Sequence, residues 1–179
     1  MIFTERLKLC PWDDDHRAAF AEMHADTEVM ADQGGPIDRH QSDAKLDHYR
    51  KAYRTNGISR WAVEGRDGVF LGYAGVMPRS IPGHPLGSHF EIGWRFVRHA
   101  WGKGYATESA RAALTDAFGR TKLPEILSYT SIDNLRSQAV MARLNLRREP
   151  SRDFIIERDR ADPWHGMLWV ARSGEWLLS

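Results

Sequence analysis

The sequence predicts one α/β (α+β) domain over residues 1–179, with elements in the order β-α-α-β-β-β-α-β-α-β-β. Two observations predict this class. Short apolar runs with the alternation of strands are interspersed with runs that repeat every three to four residues, as in helices. One strand-like run, 89–97, leads through a loop with two glycines into a helical run, 105–119. No linker, repeat or low-complexity segment divides the 179 residues, a length typical of one globular domain.

The N-terminal part predicts one strand and two helices. Residues 7–11 are predicted as a short strand, with Leu7, Leu9 and Pro11 on one side of it. The aspartates at 13–15 offer N-caps and first-turn carboxylates to the first helix. That helix carries the apolar residues Phe20, Met23 and Met30. A segment with two glycines and a proline ends it, and the second helix is predicted over residues 38–53.

The middle of the chain predicts three strands. They span residues 61–64, 69–77 and 89–97. The turn Arg66-Asp67-Gly68 joins the first two as a hairpin. Gly72 and Gly75 indicate that the second strand is bent or closely approached by another one. The segment 79–88 is rich in proline and glycine and is predicted as a loop.

The C-terminal part predicts two helices and three strands. These are helices over 105–118 and 134–144 and strands over 125–131, 147–149 and 166–171. Asp133 or Asn134 caps the second helix, and Asn145 is placed to adopt the left-handed conformation after its end. The segment 152–164 is polar and predicted as a loop, with four carboxylates interleaved with arginine: Asp153, Glu157, Asp159 and Asp162.

Composition and charge exclude several classes of function. The formal net charge of +1 gives no broad basic field, so neither nucleic acid nor an anionic membrane is an expected partner. No apolar run approaches the ~20 residues of a membrane span, and residues 1–5 lack the profile of a signal peptide. The single cysteine, Cys10, has no partner for a disulfide, and the scattered histidines lack metal-site spacing. We expect a cytoplasmic protein without a metal.

The loop Trp101-Gly102-Lys103-Gly104 is the most informative segment of the chain. Glycine tolerates positive φ angles and, having no Cβ, allows a ligand to approach the backbone. The first N–H groups of the following helix lack intrahelical partners and point outward at the positive end of the helix dipole. Because this arrangement suits phosphate, the loop is predicted to hold a diphosphate, with Lys103 adding positive charge.

Other phosphate-binding loops do not fit this segment. A Walker-type loop requires GxxxxGK[ST], which is missing, and a dinucleotide-binding loop requires a third glycine where Thr107 stands. Two glycines alone are more often a tight turn from strand to helix, so the loop by itself does not decide the function.

The surrounding residues resemble the GCN5-related N-acetyltransferase (GNAT) superfamily. Residues 99–104 are similar to its motif A, [QR]-x-x-G-x-[GA], with His99 in place of Gln or Arg. The run W-G-K-G-Y-A-T-E at 101–108 resembles the ribosomal-protein N-terminal acetyltransferase (RimJ/RimL-like) branch. Three further segments resemble the opening strand of the branch, the N-x-x-S-x-x-V-x-x-x-L motif of the family and its closing strand: residues 4–9, 134–144 and 169–176.

The resemblance implies the GNAT fold, a central mixed, largely antiparallel twisted sheet with flanking helices. In that fold the strand before the glycine loop and the strand after its helix are parallel and splay apart, and acetyl-CoA enters the gap. The implied activity is acetyl-CoA-dependent transfer of an acetyl group to a primary amine, on a protein N-terminus or a small molecule, by a monomer or homodimer. A silent acyl-CoA-binding regulatory module and a nucleotide-binding domain of another kind are the alternatives.

The resemblance also implies which residues contact the coenzyme. A backbone N–H on the strand 89–97 would polarise the thioester carbonyl, and the residues concerned are Trp94, Phe96 and Val97. Backbone N–H groups of the loop and the first helical turn would cradle the diphosphate, and these belong to Trp101, Gly102, Lys103, Gly104, Tyr105, Ala106 and Thr107.

A third group of coenzyme contacts is implied on the helix 134–144. Asn134 would lie near the pantetheine arm, and Ser137 near the thioester sulfur, where it would protonate the departing thiolate. Both residues also fit an ordinary helix start, as N-cap and first-turn residue. Arg143 would reach the nucleotide phosphate, or else be a solvated helix residue.

For the base that accepts the amine proton, the sequence favours Glu91, on the strand beside the splay. Its alternative role is a strand carboxylate that faces solvent or pairs with an arginine. Asp153 and Glu157, in the late loop, are rival bases, and His84 and His89 are expected to be surface histidines.

Overall fold

The computed structural model describes residues 1–157 and 162–176. Within them lie nine strands, which are β1 (Ile2–Phe3), β2 (Leu7–Cys10), β3 (Arg60–Gly65), β4 (Phe70–Arg79), β5 (His89–Phe96), β6 (Glu125–Thr130), β7 (Arg147–Arg148), β8 (Phe154–Ile156) and β9 (Trp164–Arg172). The α-helices are α1 (His16–Ala25), α2 (Thr27–Met30), α3 (Arg39–Asn56), α4 (Tyr105–Arg120), α5 (Leu135–Arg143) and α6 (Ser173–Trp176).

The strands form one mixed sheet in the order β1-β2-β3-β4-β5-β6-β9-β7, with β8 added against β9. Neighbouring strands are antiparallel except for β5 and β6, which are parallel. Helices flank the sheet, so the predicted fold class is confirmed. No helix in the described ranges has the length and apolarity needed to cross a bilayer.

Two apolar clusters hold the helices against the sheet. On one face, Ile92 and Phe96 of β5 pack in a cluster with Ala113 and Leu114 of α4. On the other face, the cluster contains residues of α1, α3 and β4, including Phe20, Leu46, Tyr73 and Met77. Because side chains alternate along a strand, β5 contributes even-numbered side chains to the α4 face and odd-numbered ones to the α1–α3 face.

The first predicted helix is in fact two helices. The backbone of Asp26 is extended, with ψ 120°, and its carboxylate accepts hydrogen bonds from the N–H groups of Glu28 (2.9 Å) and Val29 (3.2 Å), which caps α2. Apolar side chains continue to be buried across the break, up to Met30. The apolar periodicity therefore concealed an interruption that is made by one capping side chain.

The role predicted for the aspartates 13–15 is also wrong. Asp15 is the N-cap residue of α1 but forms no side-chain cap, and the first turn of α1 contains no carboxylate. Asp14 instead forms ion pairs with Arg17 (2.9 Å) and Arg50 (2.7 Å). Ion pairs with α1 and α3 thus replace the capping that the sequence favoured.

The late polar segment is not entirely a loop. Within it, β8 pairs antiparallel with β9, with Phe154 opposite Gly166, and Phe154 is buried. Three residues among many charges were too few to give a strand signal in the sequence. Asp159, one of the carboxylates expected here, lies outside the described residues.

Three backbone predictions are confirmed. Gly72 has φ +152°, and a Cβ on it would lie 2.7 Å from the Cα of Phe96; a Cβ on Gly75 would lie 2.7 Å from the Cα of Arg60. Both glycines thus occupy points of close strand approach. Asn145 adopts φ +58° directly after α5, as expected for a left-handed cap.

Candidate functional site

The parallel strands β5 and β6 separate soon after they meet. In the described chain their register contains a single pair, Glu91 with Leu127. One residue further on, the hydroxyl of Ser128 donates to the carbonyl of Ile92 at 3.1 Å, so a side chain replaces the backbone pairing. Beyond this point no further residues of β5 and β6 are paired in the described chain, which fits the splayed gap that the resemblance implied.

The gap exposes backbone groups of β5 at the positions predicted to polarise a carbonyl. The N–H of Val97 donates to the carbonyl of Leu71 at 3.0 Å, so Val97 directs its backbone groups towards β4. Because this direction alternates along an antiparallel strand, the N–H groups of Trp94 and Phe96 face the gap. Of the three residues predicted here, Trp94 and Phe96 fit the role, and the amide of Val97 is used by the sheet.

The glycine loop lies at the end of β5 and opens α4. Gly102 and Gly104 have φ angles of +74° and +79°, which only glycine adopts without strain. Gly104 is the N-cap residue of α4 and has no side chain that could occupy the helix terminus. Gly102, Lys103 and Gly104 are exposed, so the predicted phosphate cradle is accessible.

Contacts that the sequence did not reveal hold the loop in place. The indole N–H of Trp101 donates to the carbonyl of Phe96 at 2.8 Å. Arg6, from the segment before β2, donates to the carbonyl of Lys103 at 2.9 Å and lies over the ring of Tyr105 at 4.9 Å. The first strands of the chain therefore support the loop directly.

Glu108 connects this support to α4. Its carboxylate accepts hydrogen bonds from the hydroxyl of Thr4 (2.6 Å) and from the backbone (2.9 Å) and side chain (2.7 Å) of Arg6. Burial alone would raise the pKa of Glu108, but the donors Thr4 and Arg6 outweigh it and lower the pKa. The sequence suggested only a carboxylate favoured by the helix dipole, because its partners lie about a hundred residues away.

On the other side of the gap, Asn134 caps α5. Its side-chain oxygen accepts from the N–H of Ser137 at 3.1 Å, and its amide donates to Asp32 at 3.2 Å. Asp32 also forms an ion pair with Arg95 of β5 at 2.7 Å. The capping role is confirmed, and a polar bridge across the mouth of the gap is added, which sequence reasoning missed.

Ser137 lies in the first turn of α5 and is half-buried. Its hydroxyl forms no hydrogen bond with any residue in the described ranges, so it is free to meet a ligand. Arg143 is exposed at the end of α5, and its carbonyl accepts from Arg111 at 2.8 Å. Arg136, which was not predicted, stacks on the ring of Trp101 at 4.0 Å and joins α5 to the glycine loop.

Glu91 lies beside the gap, buried to 8% exposure. Arg60 approaches its Oε1 at 3.0 Å, and Arg79 forms an ion pair with its Oε2. The hydroxyl of Tyr129, on β6, also lies 3.4 Å from Oε2. Burial on its own would raise the pKa of Glu91, but the charges of Arg60 and Arg79 prevail and lower it. The arginine-paired role is the one that this geometry supports.

One glycine, Gly93, makes room for the side chain of Arg60. Its side chain crosses β4 and β5, and its guanidinium donates to the carbonyls of Gly75 and Glu91, the latter at 2.8 Å. A Cβ on Gly93 would lie 2.7 Å from Nη2 of Arg60. Gly93 therefore leaves the space through which a buried arginine reaches the carboxylate at the gap.

The rival bases are placed differently. Asp153 forms an ion pair with Arg148 and accepts from the N–H of Leu168 at 2.9 Å, so it stabilises the β7–β9 edge. Glu157 is exposed and has no partner in the described chain. His89 is half-buried, and its ring lies 3.3 Å from the hydroxyl of Tyr129.

Comparison with known proteins identifies the family. Residues 6–147 match the family model described as the acetyltransferase (GNAT) domain. The chain belongs to the GNAT acetyltransferase family. It is therefore an enzyme that transfers acetyl groups, and the gap between β5 and β6 beside the glycine loop belongs to the fold of that family.

Individual relatives agree with this assignment. The chain is 30% identical over 147 residues to YkkB of Bacillus subtilis, covering 81% of this chain and 84% of YkkB. It is 31% identical over 149 residues to the FsC-acetyl coenzyme A-N(2)-transacetylase of Aspergillus fumigatus, covering 79% of this chain and 62% of that protein.

Solved structures share the fold. The acetyltransferase from Agrobacterium tumefaciens superposes with a TM-score of 0.77 at 26% identity, over 96% of this chain and 93% of that one. RimL, a ribosomal L7/L12 alpha-N-protein acetyltransferase in complex with coenzyme A, superposes with a TM-score of 0.74 at 15% identity, over 94% and 95%. At that identity, the likeness to RimL concerns the fold alone.

Proposed function

We propose that this protein is an acetyl-CoA-dependent N-acetyltransferase that transfers the acetyl group directly to a primary amine in a ternary complex. The observation that carries the proposal is the gap between β5 and β6, where the N–H groups of Trp94 and Phe96 adjoin an open helix N-terminus. A thioester carbonyl and a diphosphate require these two features, at opposite ends of one ligand. The RimJ/RimL-like branch is supported by the run W-G-K-G-Y-A-T-E.

In the proposed complex, the diphosphate of acetyl-CoA accepts from the backbone N–H groups of residues 102–107, and Lys103 adds positive charge. The N–H of Trp101, predicted for the same role, instead donates to the carbonyl of Arg98 at 3.0 Å. Arg143 reaches towards the nucleotide phosphate. The pantetheine arm passes Asn134, and the thioester carbonyl accepts from the N–H of Trp94 or Phe96. Backbone donors fixed in a sheet need no reorganisation when negative charge develops on the oxygen.

The chemical step balances without a further reactant. The lone pair of the amine attacks the thioester carbon, and the carbon–sulfur bond of the tetrahedral intermediate breaks, giving an amide and coenzyme A. Ser137 donates a proton to the departing sulfur and recovers one from water. Because its two arginine partners make Glu91 a weak base, we assign it the role of holding Arg60 and Arg79, and the amine proton leaves through water.

Release of free thiol tests the function. Purified protein is mixed with acetyl-CoA and a panel of peptides, amino acids, polyamines and aminoglycosides, and coenzyme A is measured. We expect turnover with at least one amine class and tight binding of acetyl-CoA by calorimetry. Binding without turnover on any amine would contradict the transferase proposal, and affinity for ATP without affinity for acetyl-CoA would contradict the coenzyme assignment.

Ser137→Ala is expected to lower kcat by about tenfold or more, with little change in acetyl-CoA affinity. A donor to the departing sulfur acts mainly in the transition state, so its loss appears in kcat. Steady-state kinetics and calorimetry measure the two effects, and Ser151→Ala, at an exposed serine beyond β7, is the control. Unchanged kcat across the pH range would leave Ser137 as a helix residue only.

Cys10→Ala is expected to retain full activity. Cys10 lies 3.8 Å from His16, which contacts Glu64 at 2.8 Å, an arrangement that resembles an activated nucleophile. However, Cys10 is buried on β2, three strands from the gap, and burial, reinforced by Glu64, raises the pKa of its thiol to about 12.

The kinetic pattern provides a second test of direct transfer. Initial-rate plots at several fixed amine concentrations are expected to intersect, because both substrates are bound before chemistry. Parallel plots, together with an acetyl-enzyme trapped on Cys10 that is kinetically competent, would establish a covalent route instead.

A further inference from the structure

Three side chains of the kinds that bind transition metals meet on the β2–β3 side of the sheet. Cys10 lies on β2, His16 is the first residue of α1, and Glu64 lies on β3. The Sγ of Cys10 is 3.8 Å from Nε2 of His16, and Nε2 is 2.8 Å from Oε1 of Glu64. The three atoms all lie within 4.8 Å of one another. One ion can therefore contact all three of them.

The separations of these atoms suit a zinc ion. Zinc binds sulfur at about 2.3 Å and imidazole nitrogen at about 2.0 Å, so tetrahedral geometry separates these two atoms by about 3.6 Å. The distance from Cys10 to His16 is close to this value, at 3.8 Å. The nitrogen and a carboxylate oxygen would be separated by about 3.3 Å. The hydrogen bond between His16 and Glu64, at 2.8 Å, therefore has to lengthen by about 0.5 Å, which requires a small rotation of the Glu64 side chain.

The ring of His16 has partners both with and without a metal. Without one, Nε2 donates to Glu64 and Nδ1 accepts from the backbone N–H of Asp13 at 3.2 Å. With zinc on Nε2, the proton is carried by Nδ1, which lies 2.7 Å from Oδ1 of Asp13. An imidazole that binds zinc commonly donates its other N–H to a carboxylate in this way. Metal binding therefore only moves the ring proton from one nitrogen to the other.

The charges of the cluster balance when a divalent ion is added. The ammonium of Lys8 lies 2.8 Å from Oε2 of Glu64, which leaves Oε1 for the metal. On binding, the thiol of Cys10 releases its proton to solvent and becomes a thiolate. The thiolate and the carboxylates of Glu64 and Asp13 then carry three negative charges. Lys8 and the divalent ion supply three positive charges, so the assembled site is neutral, as a buried ionic site requires.

The ligand types select zinc among divalent ions. Thiolate, imidazole and one carboxylate oxygen suit Zn²⁺, whereas Mg²⁺ and Ca²⁺ require mostly oxygen ligands. Cys10 and His16 are buried, and the exposed Asp13 marks the side that is open to solvent. The sequence predicted no metal because the spacing of its histidines gave no signal. Glu64 stands 48 residues from His16 and is brought to it only by the fold.

We propose that Cys10, His16 and Glu64 bind one Zn²⁺ ion, with a water molecule as the fourth ligand. The ion joins β2, β3 and the start of α1. A coordination position left to water is typical of an open site rather than a closed structural one, so occupancy follows the concentration of free zinc and stabilises the fold by mass action. The cluster lies three strands from the gap, so the ion takes no part in the transfer of the acetyl group.

The test titrates the full chain, freed of metal by a chelator, with Co²⁺ as a spectroscopic substitute for Zn²⁺. A thiolate bound to cobalt gives a sulfur-to-metal charge-transfer band in the near ultraviolet, and Cys10 is the single cysteine that can supply it. We expect the band to appear with Co²⁺ and to be displaced by Zn²⁺, with about one Zn²⁺ bound per chain by calorimetry. A wild type that gives no such band would overturn the proposal.

Matched variants locate the bound ion. Asp13→Asn is expected to weaken the affinity for Zn²⁺ by about tenfold or more, because it removes the carboxylate that orients His16. Glu64→Gln removes a direct ligand and should weaken it further. Asp15→Asn makes the same change as Asp13→Asn at another exposed side chain before α1, and should bind Zn²⁺ like the wild type. Equal affinities of Asp13→Asn and Asp15→Asn would place the ion elsewhere and overturn the proposal.

Thermal unfolding gives a second readout of the same site. Zn²⁺ should raise the melting temperature of the wild type and of Asp15→Asn, because the ion binds only the folded cluster. At the same concentration of Zn²⁺, Asp13→Asn should show a smaller rise. A melting temperature of the wild type that does not respond to saturating Zn²⁺ would show a hydrogen-bonded cluster only, and would also overturn the proposal.

Discussion

Glu91→Gln is expected to lower the free energy of unfolding by about 3 kcal/mol, because it leaves Arg60 and Arg79 without their shared carboxylate in a buried site. Arg60 is 4% exposed and therefore cannot turn to water. Turnover should fall as well, since the guanidinium groups that line the gap lose their fixed positions. Chemical denaturation and steady-state kinetics measure the two effects.

The control for this substitution is Glu28→Gln. Glu28 pairs with Arg98 at 2.6 Å, but both side chains are exposed, and a surface pair contributes at most about 1 kcal/mol.

The acidic limb of the pH–rate profile should persist in Glu91→Gln, because Glu91 is not the base in our assignment. If the variant is as stable as the wild type and the limb disappears, Glu91 is the proton acceptor after all.

The ion pairs of Glu91 with Arg60 and Arg79 make the stability of the fold depend on pH in a defined direction. The folded protein lowers the pKa of Glu91. The stabilisation is therefore complete above the pKa of an unfolded glutamate, about 4.3, and is lost as the pH falls through the lower folded value. The difference between the unfolding free energies of wild type and Glu91→Gln should accordingly begin to shrink below about pH 4.3 and disappear below the folded pKa.

Gly104→Val is expected to weaken acetyl-CoA binding by about a hundredfold or more, which corresponds to ~2.7 kcal/mol. Gly104 has φ +79° and precedes the first turn of α4, so a branched side chain would both strain the backbone and stand where the diphosphate is proposed to bind. Calorimetric titration with acetyl-CoA measures the loss of affinity.

Gly68→Val separates these two causes. Gly68 has φ +80° in the β3–β4 turn, and a Cβ there would meet no atom within 4 Å. Both variants should therefore lose a similar free energy of unfolding from backbone strain, and only Gly104→Val should lose coenzyme affinity. Equal affinity in two folded variants would show that the diphosphate binds elsewhere.

Much of the fold was predictable because its signals are local. The glycine loop, the start of α4 and the left-handed Asn145 each depend on a few consecutive residues, and the motif around residues 101–108 identified the parallel pair through resemblance. The break at Asp26 was missed because apolar side chains on both sides keep the same periodicity. The strand β8 was missed because its three residues derive their pairing from β9.

The site was less predictable, because its contacts join distant segments. Glu91 was identified by its position on β5, but its chemistry is decided by Arg60, which is 31 residues away and unremarkable in the sequence. Arg6 reaches the glycine loop from 97 residues away. Asp32 connects Arg95 with Asn134 only because the break after α1 redirects the chain over the gap.

The passage of Arg60 over Gly93 restricts the order in which this sequence can change. A side chain at position 93 would collide with the guanidinium of Arg60, whose end is only 2.7 Å from the missing Cβ. A side chain at position 75 would collide with the backbone around Arg60, whatever residue stands there. Position 93 therefore becomes mutable only after residue 60 has shortened, whereas position 75 stays closed. The two glycines look alike in the sequence, but they differ in epistasis. The requirement for glycine at position 93 depends on the residue at position 60, whereas the requirement at position 75 depends on the backbone of the sheet.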